Sequence, residues 1–326
     1  MSRPRFAVYA RGEGPARELR RLLARGLREA GFPARERDGR AGFARRADLH
    51  LLVAPHELLA RGGERLRRAA WPEGVILYNT AQPDSAAFAF VRRLLPRARA
   101  VWDLDAGAAR RWRAEGWRAA HLPPGWVEDP ALYAPGRPWA KRPVGALFAG
   151  SPTPRRESFF RDADLGGLGA RLLLSPAPWR PRAALRLARR AKVVLNVHRR
   201  AADYFEWHRA VVHGIGQGAL VLSEPCGPSA PLRPGRDFAT APLADFPETL
   251  RGFLTTAAGR ARAARMAARG LRTLKTRCRL APALTRAVRS LGRPEGERAR
   301  RARRLEEAAR GLFAAAATPR GPRSRR

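Results

Sequence analysis

The sequence predicts an α/β protein made of two similar halves. Short apolar runs alternate with amphipathic helical stretches along the chain, which is the pattern of a parallel sheet covered by helices. Its 326 residues exceed one compact core and suit two domains of about 150 residues each. Prolines crowd residues 122–143, where this periodicity disappears, and the alternation restarts at residue 144. We therefore expect two Rossmann-like domains joined by a proline-rich hinge.

The first half of the chain predicts five strands and three helices. A strand over 5–10 leads into a helix over 15–31, in which Leu19, Leu22 and Leu23 share one apolar stripe. Four further strands are predicted from apolar runs, at 48–54, 74–79, 99–104 and 118–123. Two further helices fit between them, at 84–95 and 106–115.

The second half predicts the same alternation. Strands are predicted at 144–150, 170–176, 192–197 and 219–223. Helices are predicted after the loop that carries Arg155 and Arg156, and near 181–190, 206–217, 245–256, 258–275 and 279–291. The expected units are an N-terminal domain over 1–125, a linker over 126–143, a C-terminal domain over 144–292 and an arginine- and alanine-rich tail over 293–326. We expect an exposed helix in the middle of this basic tail and disorder at its end.

The net charge of +37 comes almost entirely from arginine, because lysine occurs only at Lys141, Lys192 and Lys275. The arginines are spread through every segment, so charge alone is a weak argument for specific nucleic-acid binding. The charge is compatible with contact to an anionic membrane or a lipid-linked substrate. The longest apolar runs are strand-sized, far short of the roughly 20 residues of a membrane span.

Targeting and redox signals are sparse. Cys226 and Cys278 are the only cysteines, and their spacing matches neither a metal site nor a disulfide framework. The N-terminal apolar run is too short for a secretory signal. We expect a cytoplasmic protein, with association at the inner face of the membrane as an option.

The segment "GALFAGSPTPRRE" contains the parts of an anion site. A predicted strand ends at Gly150 and Ser151, and a short loop with Arg155 and Arg156 leads into a helix. Free backbone amides, a hydroxyl, a helix N-terminus and two guanidinium groups suit a nucleotide diphosphate without a metal. Both arginines are expected to be partly exposed, and each could instead be an ordinary surface charge.

A second polar group follows the predicted strand over 192–197. Asn196 and His198 lie at its carboxyl end, where open parallel sheets place ligands. Glu206, Arg209 and His213 follow at spacings of 3 and 4 residues, which predicts one shared helix face. Each residue alone could be a salt bridge or a satisfied histidine, but together they favour a binding site.

The order of several motifs resembles the bacterial group 1 glycosyltransferases of the GT-B fold, in the branch with a Leu-Asn-Ile-His strand. The motifs are "YNTAQ" (78–82), "VWDLD" (101–105), "HLPPGW" (121–126), "LFAGSPTPRR" (147–156), "VVLNVH" (193–198), Glu206-x-x-Arg209 and "GALVLSE" (218–224). The resemblance covers about residues 75 to 275. It implies two Rossmann-like domains facing across a cleft, with a sugar nucleotide held mainly by the C-terminal domain and the acceptor by the N-terminal domain.

The resemblance also implies roles for the candidate residues. Metal-independent transfer would depend on basic side chains and a helix N-terminus that stabilise the departing diphosphate. Glu206 and Arg209 would contact the ribose, sugar or phosphates, His198 would lie near the base or diphosphate, and Asn196 and His213 would belong to the donor site. The residues expected to contact the diphosphate are Gly150, Ser151, Arg155 and Arg156.

The chain departs from the family pattern at two glutamates that retaining members carry eight residues apart on this helix. The alignment places Phe205 and His213 at those positions. No single catalytic base stands out, and the candidates are Glu13, Asp103 and His121. The Asp-x-Asp in "VWDLDAG" has the spacing of a manganese motif, but its place before a helix favours a structural role.

We expect a hexosyltransferase-like enzyme that needs no cofactor. It would move a sugar from a nucleotide-diphosphate sugar to a cell-surface, glycolipid or small-molecule acceptor. One alternative is a catalytically inactive GT-B-like binding or scaffold protein, which the histidine at position 213 and the missing base favour. A less favoured alternative is a basic nucleic-acid-binding protein that uses the arginine-rich tail.

Overall fold

The computed structural model describes residues 3–12, 14–40, 42–60, 63–174, 181–200 and 204–292. They form two parallel β-sheets, each covered by helices. The predicted tail over 293–326 and the candidate base Glu13 lie outside the described residues.

The first sheet has six parallel strands in the order β2-β1-β3-β4-β5-β6. Its strands are β1 (Phe6–Ala10), β2 (Ala34–Asp38), β3 (Leu49–Val53), β4 (Val75–Asn79), β5 (Ala100–Asp103) and β6 (Ala119–His121). Its helices are α1 (Pro15–Glu29), α2 (Pro55–Ala60), α3 (Glu64–Arg68), α4 (Ala86–Leu94) and α5 (Ala106–Ala114). We call this unit the first lobe.

The strands of the first lobe are apolar because helices cover both faces of the sheet. In β1, Phe6 and Val8 face one core while Ala7 and Tyr9 face the other, and all four are buried. The edge strand β2 has the sequence "ARERD" and is exposed after its first residue. Its polar composition explains why the apolar pattern did not predict it.

The second sheet has five parallel strands in the order β11-β10-β9-β7-β8. The strands are β7 (Val144–Gly150), β8 (Ala170–Leu174), β9 (Ala191–Asn196), β10 (Leu220–Ser223) and β11 (Ala239–Thr240). The helices of this second lobe are α6 (Pro154–Asp162), α7 (Pro181–Ala188), a π-helix (His208–Gly214) between β9 and β10, α8 (Phe246–Thr255) and α9 (Ala257–Arg277). The predicted α/β class with two Rossmann-like units is confirmed, and β11 is a further strand that the sequence did not predict.

The strand order of the second sheet fixes where a ligand would lie. β7 lies between β8 and β9: the chain first adds β8 on one side of β7 and then crosses over to add β9 on the other side, so the strand order reverses there. In open parallel sheets, ligands bind at the carboxyl ends of the strands that flank such a switch point. Here those ends are Gly150 and Asn196.

The last described helix, α10 (Leu280–Arg289), returns to the first lobe. A Cβ atom on Gly26 of α1 would lie 2.8 Å from Leu280 and Leu284, so the two helices are in close contact there. The backbone amide of Trp126 donates to Cys278 (2.8 Å), and the amide of Leu280 donates to Trp126 (3.0 Å). The segment predicted as the end of the C-terminal domain therefore packs on α1. Among the described residues, no helix combines the length and apolarity that a membrane crossing requires.

The contact between α10 and α1 generates a first prediction. Leu284 is fully buried, so Leu284→Ala should lower the free energy of unfolding by roughly 2–5 kcal/mol. Leu172→Ala is the matched control: Leu172 is 40% exposed, and we expect a loss below about 1 kcal/mol. Urea denaturation of both variants measures the difference. Equal losses would show that α10 does not stabilise the first lobe.

Candidate functional site

Charged side chains converge at the switch point of the second sheet. The first turn of α6, the segment before the π-helix, the π-helix itself and the end of β10 each contribute one or more of them. Together these charged residues form what we call the arginine cluster: Arg155, Arg156, Glu206, Arg209 and Glu224.

Arg155 is the guanidinium of this cluster with the largest exposed surface, since 29% of its side chain is accessible. Its Nη1 donates to Glu224 Oε1 (2.8 Å), and its Nη2 contacts the other oxygen of the same carboxylate. Nη1 also donates to the backbone oxygen of His198 (3.1 Å). The hydrogen bonds with Glu224 raise the pKa of Arg155 and hold its side chain beside the site.

Arg156 is buried, with 3% of its side chain exposed, so the expectation that it is partly exposed is wrong. Its guanidinium donates to the backbone oxygen of Val197 (2.8 and 3.0 Å) and to Glu206 Oε1 (2.9 Å). Burial lowers the pKa of Arg156 to about 10. Its side chain lies over the Phe148 ring, with the guanidinium carbon 5.2 Å from the ring centre. Arg156 therefore has a structural role, because it is buried and holds the Glu206 carboxylate in place.

Arg209 lies on the other side of the same carboxylate. It contacts Glu206 Oε2, and its Nε donates to the backbone oxygen of Ala149 (3.0 Å). Burial alone would raise the pKa of Glu206, but Arg209 and Arg156 outweigh this effect and lower it. Arg209 also lies over the Phe148 ring, 4.9 Å from its centre.

Four other predicted donor-site residues line the same edge. The side-chain oxygen of Asn196 accepts from Arg209 (3.2 Å), and its amide donates to Ser223 (2.9 Å). The buried His198 donates its backbone amide to Glu224 (2.6 Å). At Gly150 a Cβ atom would lie 2.8 Å from Arg209, which explains the glycine there. Ser151 is exposed beside it.

The net charge of the arginine cluster is smaller than the charge of its three arginines, because two carboxylates lie among them. Three guanidiniums (+3) and two carboxylates (−2) leave +1. An anion at this edge would therefore meet Arg155, Ser151 and the amides in the first turn of α6, which Thr153 caps by accepting from the Arg156 amide. Glu224 was missed in the sequence, although its position directly after a strand is the same signal that identified Asn196.

The predicted helix face shared by Glu206, Arg209 and His213 is wrong. Glu206 precedes the helix and pairs with Arg209, whereas His213 points to the first lobe. His213 Nε2 and His208 Nε2 lie 2.9 and 2.7 Å from the same oxygen of Glu18 on α1. We call Glu18, His208 and His213 the interlobe triad. The sequence patterns did not identify Glu18. It directly precedes Leu19, which belongs to the apolar stripe of α1.

His121 is the catalytic candidate that reaches the boundary between the lobes. Its ring centre lies 6.2 Å from that of Trp207, which precedes the π-helix. Its Nε2 is buried and has no hydrogen-bond partner among the described residues. Burial lowers its pKa, so the imidazole is neutral near pH 7 and able to accept a proton.

Asp103 is fully enclosed in the first lobe. Its carboxylate accepts from Asn79 Nδ2 (2.7 Å), from Trp112 Nε1 (2.8 Å) and from the amide of Asp105 (2.8 Å). Burial raises the pKa of Asp103 to about 7. Asp105 caps α5 by accepting from the amide of Ala108 (2.7 Å). The Asp-x-Asp thus has the structural role that its position favoured.

Comparison with known proteins adds support for the fold. No protein-family model matches this chain, and no curated protein matches it in sequence. Its structure is similar to Anabaena HepE, solved with UDP and glucose, at a TM-score of 0.57 and 10% identity over 88% of this chain and 99% of that chain. HepE has also been solved with UDP-glucose.

A second similar structure is the DNA-modifying β-glucosyltransferase, solved in the presence and absence of uridine diphosphoglucose. The TM-score is 0.53 at 9% identity, over 87% of this chain and 98% of that chain. These likenesses show the fold alone. The chain has the GT-B arrangement of two Rossmann-like units, which confirms that prediction.

The buried position of Arg156 generates a second prediction. Arg156→Ala should lower the free energy of unfolding by roughly 3–5 kcal/mol, because it leaves Glu206 without one of its two arginines in a buried site. Arg161→Ala, an exposed change on the same helix, should cost less than about 0.5 kcal/mol. Chemical denaturation compares the two. A midpoint shared by both variants would contradict the supporting role of Arg156.

The raised pKa of Asp103 generates a third prediction, for stability against pH. The unfolded carboxyl ionises near 3.8 and the folded one near 7, so the contribution of Asp103 to stability should fall between these values and then level off. Asp103→Asn cannot ionise there. The difference in unfolding free energy, wild type minus variant, should therefore decline by about 4 kcal/mol at most between pH 4 and 7. A difference that does not change with pH would contradict the burial of this carboxyl as the cause.

Proposed function

We propose that this protein is a glycosyltransferase that uses a nucleotide-diphosphate sugar. The observation that carries the proposal is the arginine cluster at the switch point between β7 and β9, beside the N-terminus of α6. An anion there would meet the partly exposed guanidinium of Arg155, backbone amides and the positive end of a helix. The complexes of HepE with UDP and UDP-glucose, in a protein of the same fold, support this ligand class.

The diphosphate would lie against Gly150, Ser151 and Arg155. Arg209 and Arg156 would add to the positive potential through the network that they form with Glu206. When the bond between sugar and diphosphate breaks, these fixed charges would stabilise the negative charge that develops on the leaving group. This electrostatic step needs no metal ion.

The first lobe would supply the acceptor side and the base. Between the two candidate bases that the structure describes, Asp103 and His121, the histidine is the better placed, because it lies against Trp207 at the boundary between the lobes. Its neutral imidazole could take a proton from an acceptor hydroxyl once the lobes separate enough to admit a substrate. A saccharide, lipid or small-molecule acceptor fits this arrangement. The arginine-rich surface would favour an acceptor at the cytoplasmic face of an anionic membrane.

Turnover separates the enzyme from an inactive binding protein of the same fold. The rate of UDP release from UDP-glucose is measured for the wild type and for His121→Ala, with and without a mixture of candidate acceptors. The wild-type rate should be higher by about 100-fold or more. Donor affinity should stay the same in that variant. A protein that binds the donor but releases no UDP under any condition would be the scaffold instead.

The partly exposed guanidinium of Arg155 generates a fourth prediction. Arg155→Ala should weaken the binding of UDP by roughly 10- to 100-fold, because a charge-assisted hydrogen bond to a phosphate contributes about 1.5–3 kcal/mol. Arg161→Ala removes an exposed arginine from the other end of the same helix and should leave the affinity unchanged. Isothermal titration with UDP and UDP-glucose measures both. Equal affinities in the two variants would refute the proposed diphosphate site.

A further inference from the structure

The interlobe triad brings three metal-ligating side chains together from the two lobes. Glu18 comes from the first turn of α1, and His208 and His213 come from the π-helix of the second lobe. One ligand atom from each residue lies within 4.8 Å of the other two. Within the described ranges, no other group of three such residues approaches this closely.

The π-helical winding is what makes the two histidines converge. In an α-helix, residues five positions apart point about 140° away from each other around the axis. In a π-helix the hydrogen bonds connect residue i to residue i+5, so His213 lies nearly over His208. Their ring centres are 4.8 Å apart. Both Nε2 atoms therefore reach the same oxygen of Glu18.

The cluster is buried but not closed. Glu18 and His213 have 5% and 2% of their side chains exposed, and His208 has 17%. Glu18 Oε2 takes both imidazole contacts, while Oε1 is buried and has no hydrogen-bond partner among the described residues. A buried carboxylate oxygen without a partner among the protein groups is costly, and an ion or an ordered water would satisfy it.

We propose that the interlobe triad binds a first-row divalent ion of the zinc type and thereby ties α1 to the π-helix. Two imidazoles and a carboxylate are a known zinc ligand set, and they leave a fourth position open on the side of the partly exposed His208. Zinc bonds of about 2.1 Å in tetrahedral geometry separate ligand atoms by about 3.4 Å. The present contacts of 2.7 and 2.9 Å would therefore widen by about 0.7 and about 0.5 Å.

This inference does not depend on the proposed glycosyl transfer. The diphosphate would be held by Arg155 and the first turn of α6, whereas the ion would be held by the interlobe triad. Metal binding and UDP binding are measured separately, so the failure of one leaves the other standing.

The test uses the full chain, stripped of metal with a chelator and then titrated with Zn²⁺ against a competing indicator. We expect one Zn²⁺ per chain by elemental analysis and a higher melting temperature with Zn²⁺. Glu18→Gln keeps the shape of the side chain but removes its charge. Glu18→Gln and His208→Ala should each weaken Zn²⁺ binding by at least about 100-fold, because each removes a direct ligand.

Matched controls separate this site from general binding. Glu29→Gln changes another carboxylate of α1, and His56→Ala changes a histidine outside the cluster; neither should alter Zn²⁺ affinity. In the wild type, Co²⁺ should give the strong visible absorption of a four-coordinate site, which requires no variant to fold. A wild type that binds no Zn²⁺, or binding that survives Glu18→Gln and His208→Ala, would overturn the proposal and leave a hydrogen-bonded contact between the lobes.

Discussion

The pairing of buried guanidiniums with Glu206 is the interaction on which the candidate donor site depends. Arg156 and Arg209 approach this one carboxylate from two sides, and both pack on the Phe148 ring. A buried charge without a partner costs several kcal/mol, so the carboxylate lets two cations remain at the end of β9. The same pairing reduces their attraction for a ligand. The site therefore combines a buried, nearly neutral group of paired charges with the more exposed guanidinium of Arg155.

The π-helix links the two proposed sites physically. Arg209 faces the arginine cluster, while His208 and His213 face Glu18 in the first lobe. Because these residues are neighbours on one short element, a ligand on one side restrains the side chains on the other. An ion in the interlobe triad would fix the position from which Arg209 reaches Glu206. The wider π-helical turn packs less regularly than an α-helix. It also makes the two histidines converge, which is a functional reason for its presence.

Much of the fold could be predicted because apolar runs record burial on both faces of a parallel sheet. The strands around Val8, Leu77 and Val194 were found in this way. The polar edge strand β2 and the two-residue β11 carry no such pattern. In the site, the residues at the ends of β7 and β9 were found from their place after strands. The burial of Arg156 and the partner of His213 were not, because both depend on residues far away in the sequence.

The total charge and the local charge of this protein lead to different conclusions about its ligands. The chain carries +37, but the five residues of the arginine cluster carry only +1. Exposed arginines also line a cavity of about 440 Å³ beside β1 and β2, including Arg35, Arg37 and Arg45. Such dispersed surface charges attract any polyanion and are screened by salt. A donor held by fixed amides and one paired guanidinium depends on geometry instead, so selectivity for a sugar nucleotide would come from a nearly neutral cluster in a very basic protein.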